Sequence, residues 1–456
     1  MGDSKVERNI MTLNAKKHLF VLIHGLWGNH TNMISIKNTL EMAFSTSTDY
    51  KDENVYFIPQ GMGYFKTLHG IEVVGYHLII ELLDFMTLYG IEKFDRISFI
   101  GYSMGGLVSR FMIGVMFSEC REIFRHLKPT IYMTFATPHL GVQYYFPKDR
   151  THPAKKAALS FMDIIGPHLS GQSGRQLFLK NEDDDTLVRL TEAHFLETLG
   201  QFKYRICIAN VRNDFTVAFY TSYITNYDPF IETDNKIKYT FEKALPTDGI
   251  LERSPLIVDM KMLDPKQEKP KVKRPWYAAL TRMTIMVLIF LIIFPVFFVS
   301  IAGSIYSYTV TTLLHNNITR GEILPTIRSK LSKRNTISDV EENKVDEKII
   351  LNTQSTPSTA SDKDHTTWEQ FIRKYSTDQI PLEHFPKLPF DSKRTTMVQN
   401  LNKLSWIRIP IYIKAPNAHE GIIARNGLTR SHFTSSAGLQ FAAQLVHYLV
   451  YRSDEK

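Results

Sequence analysis

Up to Asn210, short runs of continuous apolar residues alternate with longer stretches in which apolar residues recur at helical spacing. His18-Leu-Phe-Val-Leu-Ile-His24 is apolar at nearly every position, the pattern of a parallel strand covered on both faces. Helical spacing follows over 34–44. A second short strand is predicted over 55–58, stopped by Pro59, and a helix over 71–88. The run at 96–100 is strand-like, and Leu107, Val108, Phe111, Met112 and Val115 repeat at helical spacing to about Phe117. Further strands are predicted over 130–137, 204–210 and 409–414, with a closing helix near 434–451. Strands that alternate with helices imply βαβ units, so the expected fold is α/β: a mostly parallel sheet with helices on both faces.

Two stretches break this rhythm. Residues 142–200 hold a tyrosine pair, a Ser/Gly segment and the acidic run Asp183-Asp-Asp185, and read as a lid-like insertion. The second stretch is uncharged from Met283 to Leu314, 32 residues, with Pro295 and Gly303 inside it. It is preceded by six basic residues against one acid between Lys266 and Arg282. A polar segment low in aromatics follows, with the composition of a disordered linker. The expected organisation is an α/β core over 15–262, a basic juxtamembrane segment over 263–282 and a hydrophobic hairpin over 283–314. A basic then disordered linker over 315–366 and a C-terminal part of the core over 367–452 complete it.

Candidate chemistry centres on Gly101-Tyr-Ser-Met-Gly105, between the strand at 96–100 and the helix after it. Such a turn bends sharply, Gly101 and Gly105 leave room for it, and the Ser103 hydroxyl projects above the sheet at a helix N-terminus. A serine nucleophile also needs a base, a group that orients the base, and donors for an oxyanion. Asp214 follows the strand at 204–210, and His419 follows the last strand, which is the chain order expected of acid and base on this architecture. Asp248 and Asp228 are alternative acids, and His139, in Thr137-Pro-His-Leu-Gly141, is a rival base or a pocket-shaping residue. The expected oxyanion donors are the N–H groups of Met104 and of Leu26, in the His24-Gly25-Leu26 turn after the first strand. His24 reads as a structural hydrogen-bonder. No metal and no cofactor are expected.

The triad bears on the membrane question. Ser103 and Asp214 precede the uncharged run and His419 follows it, so a single crossing would separate base from nucleophile. Both flanks are basic, as expected of two flanks on one side of a membrane. The run is therefore expected to enter and return, with its bend near Pro295 or Ala302-Gly303.

The segments Val21-Leu-Ile-His-Gly-Leu-Trp-Gly-Asn29, Gly101-Tyr-Ser-Met-Gly-Gly-Leu-Val-Ser-Arg-Phe111, Ala136-Thr-Pro-His-Leu-Gly141 and Asn213-Asp-Phe-Thr-Val-Ala-Phe-Tyr-Thr221 resemble the fungal putative serine esterase/lipase family, the domain of unknown function 676 group. The likeness covers roughly residues 15–320, and 400–450 by motif. It implies an α/β-hydrolase fold and hydrolysis of glycerophospholipid acyl esters. It also implies a lipid-droplet setting, with the endoplasmic reticulum membrane as a second site and the catalytic domain facing the cytosol. Tyr102 stands where the commoner form of the motif has His. A neutral acylglycerol or sterol-ester lipase would use the same triad, and a non-catalytic lipid-surface scaffold is the reading from another class.

Bulk numbers add little beyond this. A net charge of +8 is modest, and its concentration beside the apolar run fits an anionic lipid surface. No nucleic-acid partner is expected. Two cysteines cannot build a disulfide framework, which favours a reducing compartment. The first residues lack an apolar signal core, and Val6 breaks the myristoylation pattern that Gly2 begins. The glycosylation sequons at Asn29 and Asn317 are accordingly read as chance.

Overall fold

The computed structural model describes residues 16–45, 54–145, 166–180, 184–231, 239–263, 301–306, 367–376 and 387–454, with a few isolated positions between them. Six strands form one sheet: β1 (Lys17–Ile23), β2 (Asn54–Phe57), β3 (Phe94–Tyr102), β4 (Lys128–Phe135), β5 (Tyr204–Asn210) and β6 (Ile407–Ile411). Their spatial order is β2-β1-β3-β4-β5-β6, and every neighbouring pair is parallel. The run of apolar residues in β1 follows from that placement, because both faces are covered. Leu19, Val21 and Ile23 enter the core on one side of the sheet, while Phe20 and Leu22 enter the core on the other.

Helix α1 (Ile34–Ser45) and the C-terminal helix (Phe433–Asp454) pack together over one face. Ile36, Leu40, Ala43 and Phe44 recur at helical spacing on the buried side of α1. Over the other face lie α2 (Ile71–Tyr89) and α3 (Met104–Ser118), with the helix Ala193–Gly200 packed on α3. That last contact bears on the segment read as a lid. Phe195 lies on Gly114, where an added Cβ would come within 2.0 Å of the ring, and its ring stacks with Phe111 at 5.9 Å. Residues 193–200 thus form part of the helical layer that packs on α3. The helix Gly171–Phe178 instead supports the 3-10 turn Tyr64–Leu68, through Ser173 Oγ, which donates to the Thr67 carbonyl.

The chain leaves β1 outward to β2 and then crosses back to β3. The carboxyl ends of β1 and β3 therefore flank a topological switch point, the crevice where open α/β sheets bind ligands. The crossing is tight: a Cβ added to Gly105 would stand 2.2 Å from the Ile23 carbonyl oxygen, and one added to Gly25 would stand 2.6 Å from Ser103 Cβ. Of the 283–314 run, only Phe298, 301–306, Tyr308 and Thr309 are described; the rest, and the segments 264–282 and 310–366, lie outside the described residues. Among the described residues no helix is long and apolar enough to cross a membrane.

The close approach at Gly105 is open to test. Gly105→Ala forces backbone apart rather than a movable side chain, and is expected to cost about 2–4 kcal/mol. Urea unfolding of the purified variant measures this, and an unchanged midpoint would contradict the packing.

Candidate active site

Ser103 sits between β3 and α3 at φ 54° and ψ −130°, a conformation unusual for a residue with a Cβ. The backbone is held there from several sides. The Ser103 N–H donates to Phe135 O at 2.9 Å, and its carbonyl accepts from the Gly106 N–H at 3.1 Å and from Thr137 Oγ1 at 2.8 Å. The hydroxyl is thereby turned toward the loop after β6.

That loop begins at Tyr412 and carries a short turn, Ala418–Gly421, capped by the Asn417 side chain, whose Oδ1 accepts from the His419 N–H at 3.2 Å. His419 Nε2 lies 2.9 Å from Ser103 Oγ, and His419 Nδ1 lies 3.0 Å from Asp214 Oδ2. In the tautomer these contacts favour, Nδ1–H donates to the carboxylate and Nε2 accepts the serine proton. The structure therefore brings Ser103, His419 and Asp214 into one hydrogen-bonded chain, with both the imidazole and the carboxylate side chains buried.

Asp214 has a full set of donors. Besides His419, its Oδ2 accepts from Asn210 Nδ2 at 2.8 Å, and its Oδ1 accepts from the N–H groups of Val217 at 2.8 Å and Thr216 at 3.0 Å. Burial on its own would raise the carboxyl pKa. The facing His419 and the donors from Val217 and Asn210 outweigh it and hold the pKa below the usual carboxylate value. The group therefore stays ionised, which is the state needed to orient an imidazole and stabilise its cation.

Two residues that sequence reasoning did not assign complete this frame. Asn210, the last residue of β5, donates to Asp214 and also to the Ala418 carbonyl at 3.1 Å, so one amide ties the acid to the histidine loop. Tyr102 Oη donates to the His419 carbonyl at 3.0 Å, and its ring lies against the imidazole at 5.1 Å between centroids. The signal for Asn210 was a polar residue closing an apolar strand at the carboxyl edge of the sheet. The signal for Tyr102 was its departure from the commoner His.

Met104 opens α3, and the first N–H groups of a helix have no acceptor within it. Leu26 lines the same pocket as Ser103, His419 and Tyr102, together with Trp27 and Thr216. His24 is buried beneath this loop, its Nδ1 3.0 Å from the Gly25 carbonyl, and burial lowers its pKa. His139 is placed differently from the expectation. Its ring is fully buried, bonded to Thr134 Oγ1 at 3.0 Å and packed edge-on to Trp406, and it neither touches the triad nor lines the Ser103 pocket among the described residues. The alternative acids are also elsewhere. Asp248 accepts from the Leu245 N–H and from Ser254, and Asp228 accepts from the Phe230 N–H.

A parallel sheet with a strained serine at a strand-to-helix turn, followed in chain order by a buried acid and a histidine, defines the α/β-hydrolase fold. Residues 14–225 match the family described as putative serine esterase (DUF676). The chain is 30% identical to the putative lipase ROG1 of Saccharomyces cerevisiae over 241 residues, 52% of this chain and 33% of that protein. It is 30% identical to the putative lipase C4A8.10 of Schizosaccharomyces pombe over 211 residues, 45% of this chain and 26% of that protein. The chain thus spans about a third or less of the length of these relatives. Among solved structures it is similar to the Bacillus licheniformis lipase BlEst2, with 17% identity, a TM-score of 0.26, and coverage of 44% of this chain and 67% of that one.

Asp228 offers a pH test separate from catalysis. Burial pushes its carboxyl up to about 7. A carboxyl whose folded pKa lies above its unfolded value of about 4 binds its proton more tightly when folded. Its contribution is complete below about pH 4 and is lost as pH rises through about 7. Asp228→Asn keeps an acceptor for the Phe230 N–H and removes the titration. Its gain in melting temperature over the wild type is expected to grow between about pH 5 and about pH 8; a gain that stays constant would show that Asp228 is ionised throughout.

Proposed function

We propose that the chain is a serine lipase of the phospholipase type, hydrolysing acyl ester bonds of glycerophospholipids at a lipid-droplet or membrane surface. The observation that carries this reading is the Ser103–His419–Asp214 chain, at 2.9 Å and 3.0 Å, on a strand-to-helix turn. Ser103 Oγ attacks the ester carbonyl while His419 Nε2 takes its proton. Asp214 holds the tautomer and stabilises the imidazolium. The tetrahedral oxyanion is met by the N–H groups of Met104 and Leu26, a contribution of about 2.7–4 kcal/mol per donor. His419 then protonates the departing alcohol. Water, deprotonated by the same histidine, cleaves the acyl-enzyme and restores the serine.

Two features support the surface setting. Exposed apolar side chains include Tyr64 and Phe65 on the turn after β2, Phe215 beside Asp214, and Ile305 and Tyr306 in the later part of the uncharged run; Phe65 meets Trp27, which lines the Ser103 pocket. The two flanks of that run also return to one body, since β6 pairs with β5 and Ile257 bridges Ile411. This supports a run that enters a lipid layer and comes back. Lipid droplet and endoplasmic reticulum surfaces, reached from the cytosol, are the proposed locations.

The chemistry is tested with a fluorophosphonate probe on the full chain. Wild type is expected to label and Ser103→Ala not to; equal labelling of the two would remove the catalytic reading. Asp214→Asn is expected to lower kcat on the order of 10³–10⁴-fold. Tyr102→Phe, which removes one hydrogen bond to the histidine loop, should lower it about two- to tenfold. Product profiling on mixed vesicles of phospholipid, triacylglycerol and sterol ester separates the substrate readings. Release of lysophospholipid is expected, and release of fatty acid from the neutral lipids alone would favour the neutral lipase.

A further inference from the structure

The pocket that holds Ser103 has a volume of about 170 Å³. Ligand pockets commonly run from about 300 to about 1,000 Å³, so the space above the serine suits the ester group and not a long hydrocarbon chain. A second cavity of about 560 Å³, a broadly open groove and not an enclosed chamber, is lined among the described residues by 63–66 on one side and by Ala302, Gly303 and Tyr306 on the other. Its walls are aromatic rings and small residues. The one charged lining residue, Lys66, turns its ammonium to the Gly61 carbonyl at 3.1 Å.

Trp27 links the two spaces. It lines the Ser103 pocket, and it touches two residues that line the second cavity: its ring meets Phe65 edge-on at 5.0 Å, and it lies 3.6 Å from where a Gly303 Cβ would stand. Trp27 is held at φ 57°, with its N–H donating to Thr67 Oγ1 at 2.9 Å. The same turn is tied to the loop after β1 a second time, by the Tyr64 N–H on the Gly28 carbonyl at 2.8 Å and by Asn29 Nδ2 on Tyr64 Oη at 2.6 Å. The expected oxyanion donor Leu26 and the floor of the second cavity thus belong to one braced unit. Gly303 is needed for the far wall, since a Cβ there would stand 2.6 Å from the Phe65 ring.

We propose that this second cavity is the site for the acyl chain of the ester, and that the chain passes Trp27 on its way from the carbonyl carbon. The proposal rests on the ester-hydrolase reading above and adds to it a ligand class, a long unbranched hydrocarbon, and a location. A chain whose carbonyl oxygen points at Leu26 N–H leads next to Trp27, the neighbouring residue, and the apolar space beyond has the volume the serine pocket lacks.

The test uses the full chain and p-nitrophenyl acetate, butyrate, octanoate and laurate, each below its aggregation concentration, so that surface binding plays no part. The readout is the ratio of kcat/KM for laurate to that for acetate. Ala302→Trp, at an exposed helix position, places an indole in the cavity and is expected to lower this ratio about tenfold or more, since each buried methylene contributes roughly fourfold. Phe65→Ala, which removes part of the wall, should lower it in the same direction, with melting curves to verify folding. An unchanged ratio in both variants overturns the acyl site, and if vesicle binding falls at the same time, the cavity serves surface docking instead. A wild type that hydrolyses none of the four esters overturns the ester-hydrolase reading itself.

Discussion

A hydrogen-bonded chain of three side chains drawn from distant parts of the sequence constrains everything else in this molecule. His419 lies 316 positions after Ser103 and 205 after Asp214, yet both contacts are at ordinary hydrogen-bond length. This requires the C-terminal segment to add β6 to the edge of a sheet whose other strands are complete by Asn210. The pairing of β5 with β6 through Ile206–Ile407 and Asn210–Ile411 sets the register that brings the loop after β6 beside the loop after β5. Whatever path residues 264–366 follow, their two ends are fixed to the same body.

The local cost of this arrangement is met by packing and by paired charge. Ser103 occupies a backbone conformation that a free chain would rarely visit, held by contacts to Phe135, Gly106 and Thr137. Gly25 and Gly105 let the loop after β1 and the start of α3 approach within a distance no Cβ would allow. Asp214 is desolvated, which by itself would neutralise it, and its charge survives because every available acceptor position has a donor. Asn210 and Tyr102 extend the same logic outward. They bond the carbonyls of Ala418 and His419, so the histidine loop is fixed by its backbone as well as by its ring.

Much of this was legible because burial leaves a strong trace in sequence. Strands covered on both faces read as unbroken apolar runs, and β1, β3, β4 and β5 are found within a few residues of where those runs lie. The positions of Asp214 and His419 followed from topology, since each lies in the first loop after a strand. The helices Trp368–Tyr375 and Ser392–Leu401 were harder, because they bury little of their surface: Ser392–Leu401 buries Arg394, Met397, Val398 and Leu401 and is otherwise polar. His139 misled for a different reason. It follows β4 as Ser103 follows β3, but Thr134 and Trp406 draw its ring into the core, and nothing local in Thr-Pro-His-Leu-Gly encodes those partners. Phe195 likewise had no signal of its own; its place depends on the absence of a side chain at Gly114, 81 positions earlier.

The 3-10 turn Tyr64–Leu68 lies between the loop after β1 and the uncharged run. It braces the loop after β1 through Thr67 and Tyr64, and it is itself supported from below by Ser173. Its outer side carries Phe65, against which Gly303 of the uncharged run is packed. Further along that run, Tyr306 lies beside His69, with ring centroids 6.1 Å apart, and Tyr308 lies beneath the guanidinium of Arg175 at 5.7 Å. Gly303, Tyr306 and Tyr308 of the most apolar segment in the chain therefore pack on the turn that braces the Trp27 loop and on the helix that supports it. A linker that only anchored the domain would not need a buried glycine against Phe65, because an anchor works at any distance its tether spans. Contact at Trp27 and Phe65 is instead what the proposed acyl-chain site requires of this segment, since Gly303 forms its far side and Trp27 lines the Ser103 pocket.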